Sequence, residues 1–173
     1  MSGPERVLLI GMMGAGKTTV GRRLAARLGC DHLDSDAQVE ARTGRTVPQI
    51  FSESGEAAFR AEETRALEDA LSRPAPLVVS VAGGAVLDPH NRDLIRAAGR
   101  VVWLRADPGT LAGRVGSGTG RPLLETDPAA SLARLDGVRR PLYAELAGLV
   151  IDVDGLEPAA VVDRIVSWLE EAA

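Results

Sequence analysis

Lysine is almost missing from this 173-residue chain: of 20 basic residues, all but Lys17 are arginine. Cysteine is equally scarce. The lone Cys30 cannot form an internal disulfide, and no cysteine or histidine cluster surrounds it, so it reads as a small buried hydrophobe. The two histidines, His32 and His90, carry no functional role that the sequence reveals. Two Trp, one Tyr and two Phe leave few platforms on which a base could stack. A net charge of −4 argues against a broad nucleic-acid surface, which needs an excess of cations on one face. Long apolar runs are also absent: Val7 to Ile10 is too short for a membrane span or a signal-peptide core, which predicts a cytoplasmic protein with no membrane partner. What remains is ordinary globular usage, 45% hydrophobic and 25% charged, at a length that suits one domain.

The chain alternates between short apolar runs and longer amphipathic ones. Arg6 to Ile10 reads as a buried strand stopped by Gly11, and Val20, Leu24 and Leu28 recur at helical spacing as far as Gly29. His32 to Asp34 is a second short strand, after which Ser35 is a candidate cap for a helix running to about Arg42. Val47 to Arg73 reads as helical with a break near Gly55, and Leu77 to Val81 as a strand buried on both faces. The second half repeats the alternation: a helix at Pro89 to Ala98, a strand at Arg100 to Arg105 and a helix from about Pro108. Next come a glycine-rich stretch at Gly113 to Gly120, too flexible for a regular element, and a helix at Ala129 to Glu145. Leu149 to Asp152 is a last strand, and Pro158 opens the closing helix. Strands alternating with helices predict an α/β fold with a parallel sheet covered on both faces.

Gly11-Met12-Met13-Gly14-Ala15-Gly16-Lys17-Thr18 satisfies G-x-x-x-x-G-K-[ST] and lies between a predicted strand and a predicted helix. In that context backbone N–H groups wrap phosphate oxygens and the helix N-terminus adds favourable dipole charge. Lys17 suits the β- and γ-phosphates because a compact, mobile ammonium does what the planar fork of arginine does poorly. Thr18 is a candidate Mg²⁺ ligand. With the only lysine committed here, the Asn-Lys-x-Asp motif of GTPases cannot exist. The apolar run at Leu77 to Val81 leads to Ala82-Gly83-Gly84 and not to the acidic residue of a motor ATPase, which leaves small-molecule phosphotransferases.

Several further motifs stand in order along the chain: Gly14 to Arg22, Asp34-Ser35-Asp36, Gly55-Glu56 with Phe59-Arg60, Gly83-Gly84, Arg121-Pro122-Leu123-Leu124 and Arg139-Arg140-Pro141-Leu142-Tyr143. Together they resemble shikimate kinase over essentially the whole chain. The resemblance implies a single P-loop kinase domain of the nucleoside-monophosphate-kinase class, with a five-stranded parallel sheet flanked by helices. It implies a substrate-binding helical segment at about 35–62 and a mobile lid at about 113–124. ATP and Mg²⁺ are the implied co-substrate and cofactor, and phosphorylation of the 3-hydroxyl of shikimate the implied reaction, by a monomer. By motif, Gly14, Ala15, Gly16, Lys17, Thr18 and Thr19 hold the nucleotide, and Thr18 and Asp34 the metal. Asp36 is the substrate-binding and catalytic carboxylate. Arg60 and Arg139 take the substrate carboxylate beside the Gly83 and Gly84 backbone, with Arg140 as an alternative to Arg139. Arg121 is the lid arginine at the transferring phosphate, and Arg114 lies near the adenine.

One position departs from the family pattern, which has three glycines where this chain has Ala82-Gly83-Gly84. Position 82 ends a predicted strand, where alanine's preferred angles fit, so the change is expected to be tolerated. Two other functions compete: a related kinase for gluconate, another hydroxy acid or a nucleotide, and a catalytically silent ATP-dependent regulator. Scarce aromatics weigh against a nucleotide acceptor, and chemically competent residues at every catalytic position weigh against silence.

Overall fold

Residues 5–116, 121–124 and 127–173 are described by the computed structural model. Strand β1 (Arg6–Ile10) is the middle of a five-stranded, all-parallel sheet ordered β2-β3-β1-β4-β5. Its neighbours are β3 (Leu77–Ser80) and β4 (Arg100–Arg105), with β2 (Asp31–Asp34) and β5 (Leu149–Asp152) at the edges. Both faces of β1 are covered, and Val7, Leu8, Leu9 and Ile10 are at most 1% exposed. Each such side chain contributes roughly 1.5–3 kcal/mol of burial, so the strand that carries the glycine-rich turn is firmly seated.

Seven helices connect the strands among the described residues: α1 (Lys17–Leu28), α2 (Ser35–Thr43), α3 (Val47–Ser72), α4 (Pro89–Ala98), α5 (Pro108–Val115), α6 (Pro128–Leu146) and α7 (Pro158–Glu171). Short 3₁₀ turns at Ala85–Leu87 and Pro122–Leu124 complete the course. The break expected near Gly55 is present, with φ 84° and ψ 173° interrupting α3. Thr46 and Gln49 start that helix with a reciprocal capping box. Two hydrophobic clusters result. The large one wraps the sheet, and a small one of Val39, Ile50, Phe59 and Ala66 joins α2 to α3, with Val47 and Phe51 packed against it.

Two local expectations are corrected. Asp34, not Ser35, caps α2: its carboxylate accepts from the N–H groups of Asp36 and Ala37, while Ser35 is buried and its hydroxyl accepts from the Ala82 N–H at 2.8 Å. The stretch from Gly113 is not wholly irregular either, because α5 runs through Gly113 and Arg114 to Val115. Residues 117–120 of the expected lid lie outside the described residues.

Candidate active site

The turn after β1 is shaped by glycines in conformations closed to other residues: Gly14 and Gly16 have φ of 84° and 94°, and Gly16 caps α1 in the left-handed region. No side chain caps that helix end, so its first amides face outward with the positive end of the dipole. Lys17 folds back over the turn, and its Nζ donates to the carbonyls of Gly11 at 2.7 Å and Met12 at 3.0 Å. Thr18 Oγ1 donates to Asp34 Oδ2 at 2.5 Å, while Asp34 Oδ1 serves the α2 cap. One carboxylate therefore fixes the start of α2 and places its other oxygen against the Thr18 hydroxyl.

All the site residues expected from sequence, except Ala15 and Arg114, line one cavity of about 560 Å³ at the carboxyl ends of the strands. Ala15 is buried beneath the turn. Arg114, on the last turn of α5, donates from Nη1 to the Gly14 carbonyl at 3.1 Å, which ties α5 to the phosphate turn from outside the cavity. Arg121 reaches the cavity wall as an exposed side chain.

Opposite the turn after β1, the far wall of the cavity is assembled from four separate elements. Asp36 comes from the first turn of α2, Arg60 from α3 beyond the break, Gly83 and Gly84 from the turn after β3, and Arg139 from the middle of α6. Arg60 is held by Glu56 at 3.3 Å and by both oxygens of Glu63 at 3.0 and 3.2 Å. Arg139 differs. It is 1% exposed, makes no ion pair among the described residues, and leaves its buried Nε without a partner. Among the described residues its Nη1 reaches only the Met12 sulfur, at 4.0 Å. Arg140, the alternative at this motif, points away to Asp136 and the Ala106 carbonyl and lies over the Trp103 ring. A buried guanidinium without a counter-ion is costly, and an anion entering the cavity relieves that cost.

Gly83 and Gly84 owe their identity to space and not to backbone angles, since neither has positive φ. A Cβ on Gly84 would fall on the Arg60 guanidinium, and one on Gly83 would stand 3.2 Å from both Arg139 Nη1 and the Gly11 carbonyl. Ala82 fits as expected: no non-glycine residue has positive φ among the described residues, and Ala82 is buried outside the cavity lining.

The electrostatics follow from this crowding. Burial pushes Lys17 down to about 8, opposed by Asp36 and Asp34 and reinforced by Arg139 and Arg121. Asp36 is reached by solvent through the open cavity, yet the surrounding walls still raise its pKa by desolvation, Asp34 adding and Lys17 and Arg60 opposing. Glu63 is raised to about 7 by burial, against the pull of Arg60. The sequence alone assigned Glu63 no role. An acid three residues from an arginine gives no sign of being 2% exposed. It also assigned nothing to Tyr143, a buried residue whose hydroxyl donates to the Gly83 carbonyl at 2.6 Å and steadies the glycine turn.

Comparison with known proteins is consistent along the whole chain. A family model described as shikimate kinase matches residues 13–170. The shikimate kinase of Halorhodospira halophila is 46% identical over 168 residues, covering 96% of this chain and 94% of that protein. That of Paramagnetospirillum magneticum is 45% identical over 164 residues, covering 94% of this chain and 83% of its own. Among solved structures, shikimate kinase from Acinetobacter baumannii in complex with shikimate superposes with a TM-score of 0.95 at 37% identity, covering 98% of this chain and 95% of the other. A gluconokinase from Sinorhizobium meliloti reaches a TM-score of 0.68 at 23% identity over 98% of this chain and 94% of its own, a likeness of fold alone.

Proposed function

Because this chain belongs to the shikimate kinase family, we propose that it transfers the γ-phosphoryl group of ATP to the 3-hydroxyl of shikimate, giving shikimate 3-phosphate and ADP on the route to aromatic amino acids. The observation that carries the reading is Arg139: a buried guanidinium with no counter-ion among the described residues, facing the cavity that also holds Lys17 and the phosphate turn. A carboxylate on the acceptor is the missing partner, and Arg60, already oriented by Glu63, supplies a second fork to it. The Gly83 and Gly84 backbone lines the acceptor beside them.

Asp36 stands on the acceptor side within the electrostatic reach of Lys17. It binds the acceptor hydroxyl and takes its proton as the oxygen attacks the γ-phosphorus, the bond to the bridging oxygen breaks and ADP leaves. Its raised pKa makes it a better base than an ordinary carboxylate. Lys17 leaves its two carbonyls for the β- and γ-phosphates, Gly14, Ala15, Gly16, Thr18 and Thr19 supply the surrounding backbone, and Arg121 neutralises charge on the transferring group. Arg114 borders the adenine end.

Thr18 and Asp34 suit Mg²⁺, since their adjoining oxygens are hard donors. No group of three or more metal-ligating side chains occurs among the described residues, but an ion carried on nucleotide phosphates needs only one or two protein oxygens. Bound there, Mg²⁺ supplies charge neutralisation on the phosphate oxygens. A cytoplasmic location and a monomeric state belong to the same proposed reading; no helix among the described residues is long and apolar enough to cross a membrane. Within its single domain, residues 35–62 act as the acceptor segment and 113–124 as the lid.

A panel of acceptors with ATP and Mg²⁺ tests the reading. Turnover is expected with shikimate, and turnover with gluconate or a nucleoside monophosphate but none with shikimate would sink it. In the same assay Asp36→Asn is expected to lower kcat by roughly 10²–10⁴-fold while nucleotide binding survives.

A further inference from the structure

Beneath the phosphate turn lies a chain of three polar groups that the reaction described above leaves unused. His32 of β2 is half-buried, with Nε2 2.8 Å from Ser80 Oγ at the end of β3, and Ser80 Oγ is 2.9 Å from the Lys17 carbonyl in the first turn of α1. Valence fixes the direction of both bonds. A carbonyl only accepts and a hydroxyl has one proton, so Ser80 donates to Lys17, and the hydrogen between the ring and Ser80 must come from His32 Nε2. Nε2 of His32 therefore carries a proton in this arrangement.

Gly21 independently marks the same spot. It sits inside α1, where glycine is unfavourable, and a Cβ there would lie 2.5 Å from His32 Nε2 and 2.7 Å from Ser80 Oγ. The helix gives up a side chain where these groups meet. What the relay grips is a peptide unit of the nucleotide cradle. The Lys17 carbonyl and the Thr18 N–H share one plane, so fixing one fixes the other. The first internal bond of α1 runs from Val20 N–H to the Gly16 carbonyl, which leaves the Thr18 N–H among the free donors at the helix start.

We propose that His32 is a positioning residue for the nucleotide: acting through Ser80, it sets the tilt of the Lys17–Thr18 peptide and so aims the Thr18 N–H at the incoming phosphate. The proposal rests on the reading of this turn as the ATP site. It is tested first without any ligand. Long-range ¹H–¹⁵N NMR of the His32 ring in the free protein is expected to find the Nε2–H tautomer, and an Nδ1–H tautomer overturns the relay whatever the enzyme's acceptor. Calorimetry with a non-hydrolysable ATP analogue and Mg²⁺ is the second test. His32→Phe, which keeps a ring but no donor, and Ser80→Ala are each expected to weaken binding about five-fold, as the loss of one hydrogen bond does. The double variant is expected to be no weaker than Ser80→Ala, with the KM for shikimate unchanged throughout. Additive losses, no loss in His32→Phe, or an equal loss of shikimate affinity overturn the proposal. The tautomer measurement needs only the unaltered protein, so it decides the matter even if a variant does not fold.

Discussion

Lys17 and Arg139 face one cavity, yet Lys17 is clasped by the carbonyls of its own turn while Arg139 is buried with no counter-ion among the described residues. The difference extends to the regions around them. The phosphate turn is one continuous segment on the central strand, seated on the large core, and its polar groups are matched to Asp34, Ser80 and one another. The proposed acceptor wall is gathered from α2, α3, α6 and the turn after β3, and its α2–α3 part rests on the small cluster of Val39, Ile50, Phe59 and Ala66 with Val47 and Phe51 packed against it. A site for a ligand common to many proteins can be complete in itself. A site for one particular acid is left electrostatically open, and its strain is relieved by that acid.

If that contrast is right, removing the open charge should cost function and spare the fold. Arg139→Met is expected to raise the shikimate KM or lower kcat/KM by on the order of 10²-fold or more, as loss of a charge-assisted pair does, with the melting temperature at or above the parent's. A large fall in melting temperature would mean that Arg139 is satisfied internally, and the contrast would break. A smaller effect separates the two arginines. Glu63 has a folded pKa of about 7 against an ordinary 4.5, so its contribution to stability is fully present below about 4.5 and is lost as pH rises through about 7. Glu63→Gln should remove that slope, worth about 3 kcal/mol across the window, as read by urea unfolding at several pH values. Parallel profiles would show that pairing with Arg60 cancels the burial. The smallest effect is expected at Ala82→Gly. The methyl group lies outside the cavity lining, so the shikimate KM should stay within about twofold while stability falls by roughly 0.5–1 kcal/mol from added backbone freedom. A large gain in acceptor affinity would place the methyl group against the substrate after all.

The same contrast governs what could be read in advance. Gly11 to Thr18 was legible because its chemistry needs contiguous residues, and the strands and helices around it follow their hydrophobic periods closely. The acceptor wall joins residues as distant as Asp36 and Arg139, and only the family resemblance assembled it. Glu63 escaped because an (i, i+3) charge pair looks the same on a surface as in a cavity. His32 escaped because its partner Ser80 is reached only when β2 and β3 pair in register. The cap of α2 was misplaced by one residue, since Asp34 and Ser35 are both good caps and only tertiary packing sent Ser35 to Ala82.

The Lys17 clasp has a bearing on how fast a nucleotide can be taken up. With Nζ already 2.7 Å from the Gly11 carbonyl and 3.0 Å from that of Met12, the longest side chain in the turn has given up its rotational freedom before any phosphate arrives. Association then requires an exchange of acceptors at a stationary ammonium and not the capture of a wandering one. The ordering entropy that usually weakens a first encounter has been met during folding.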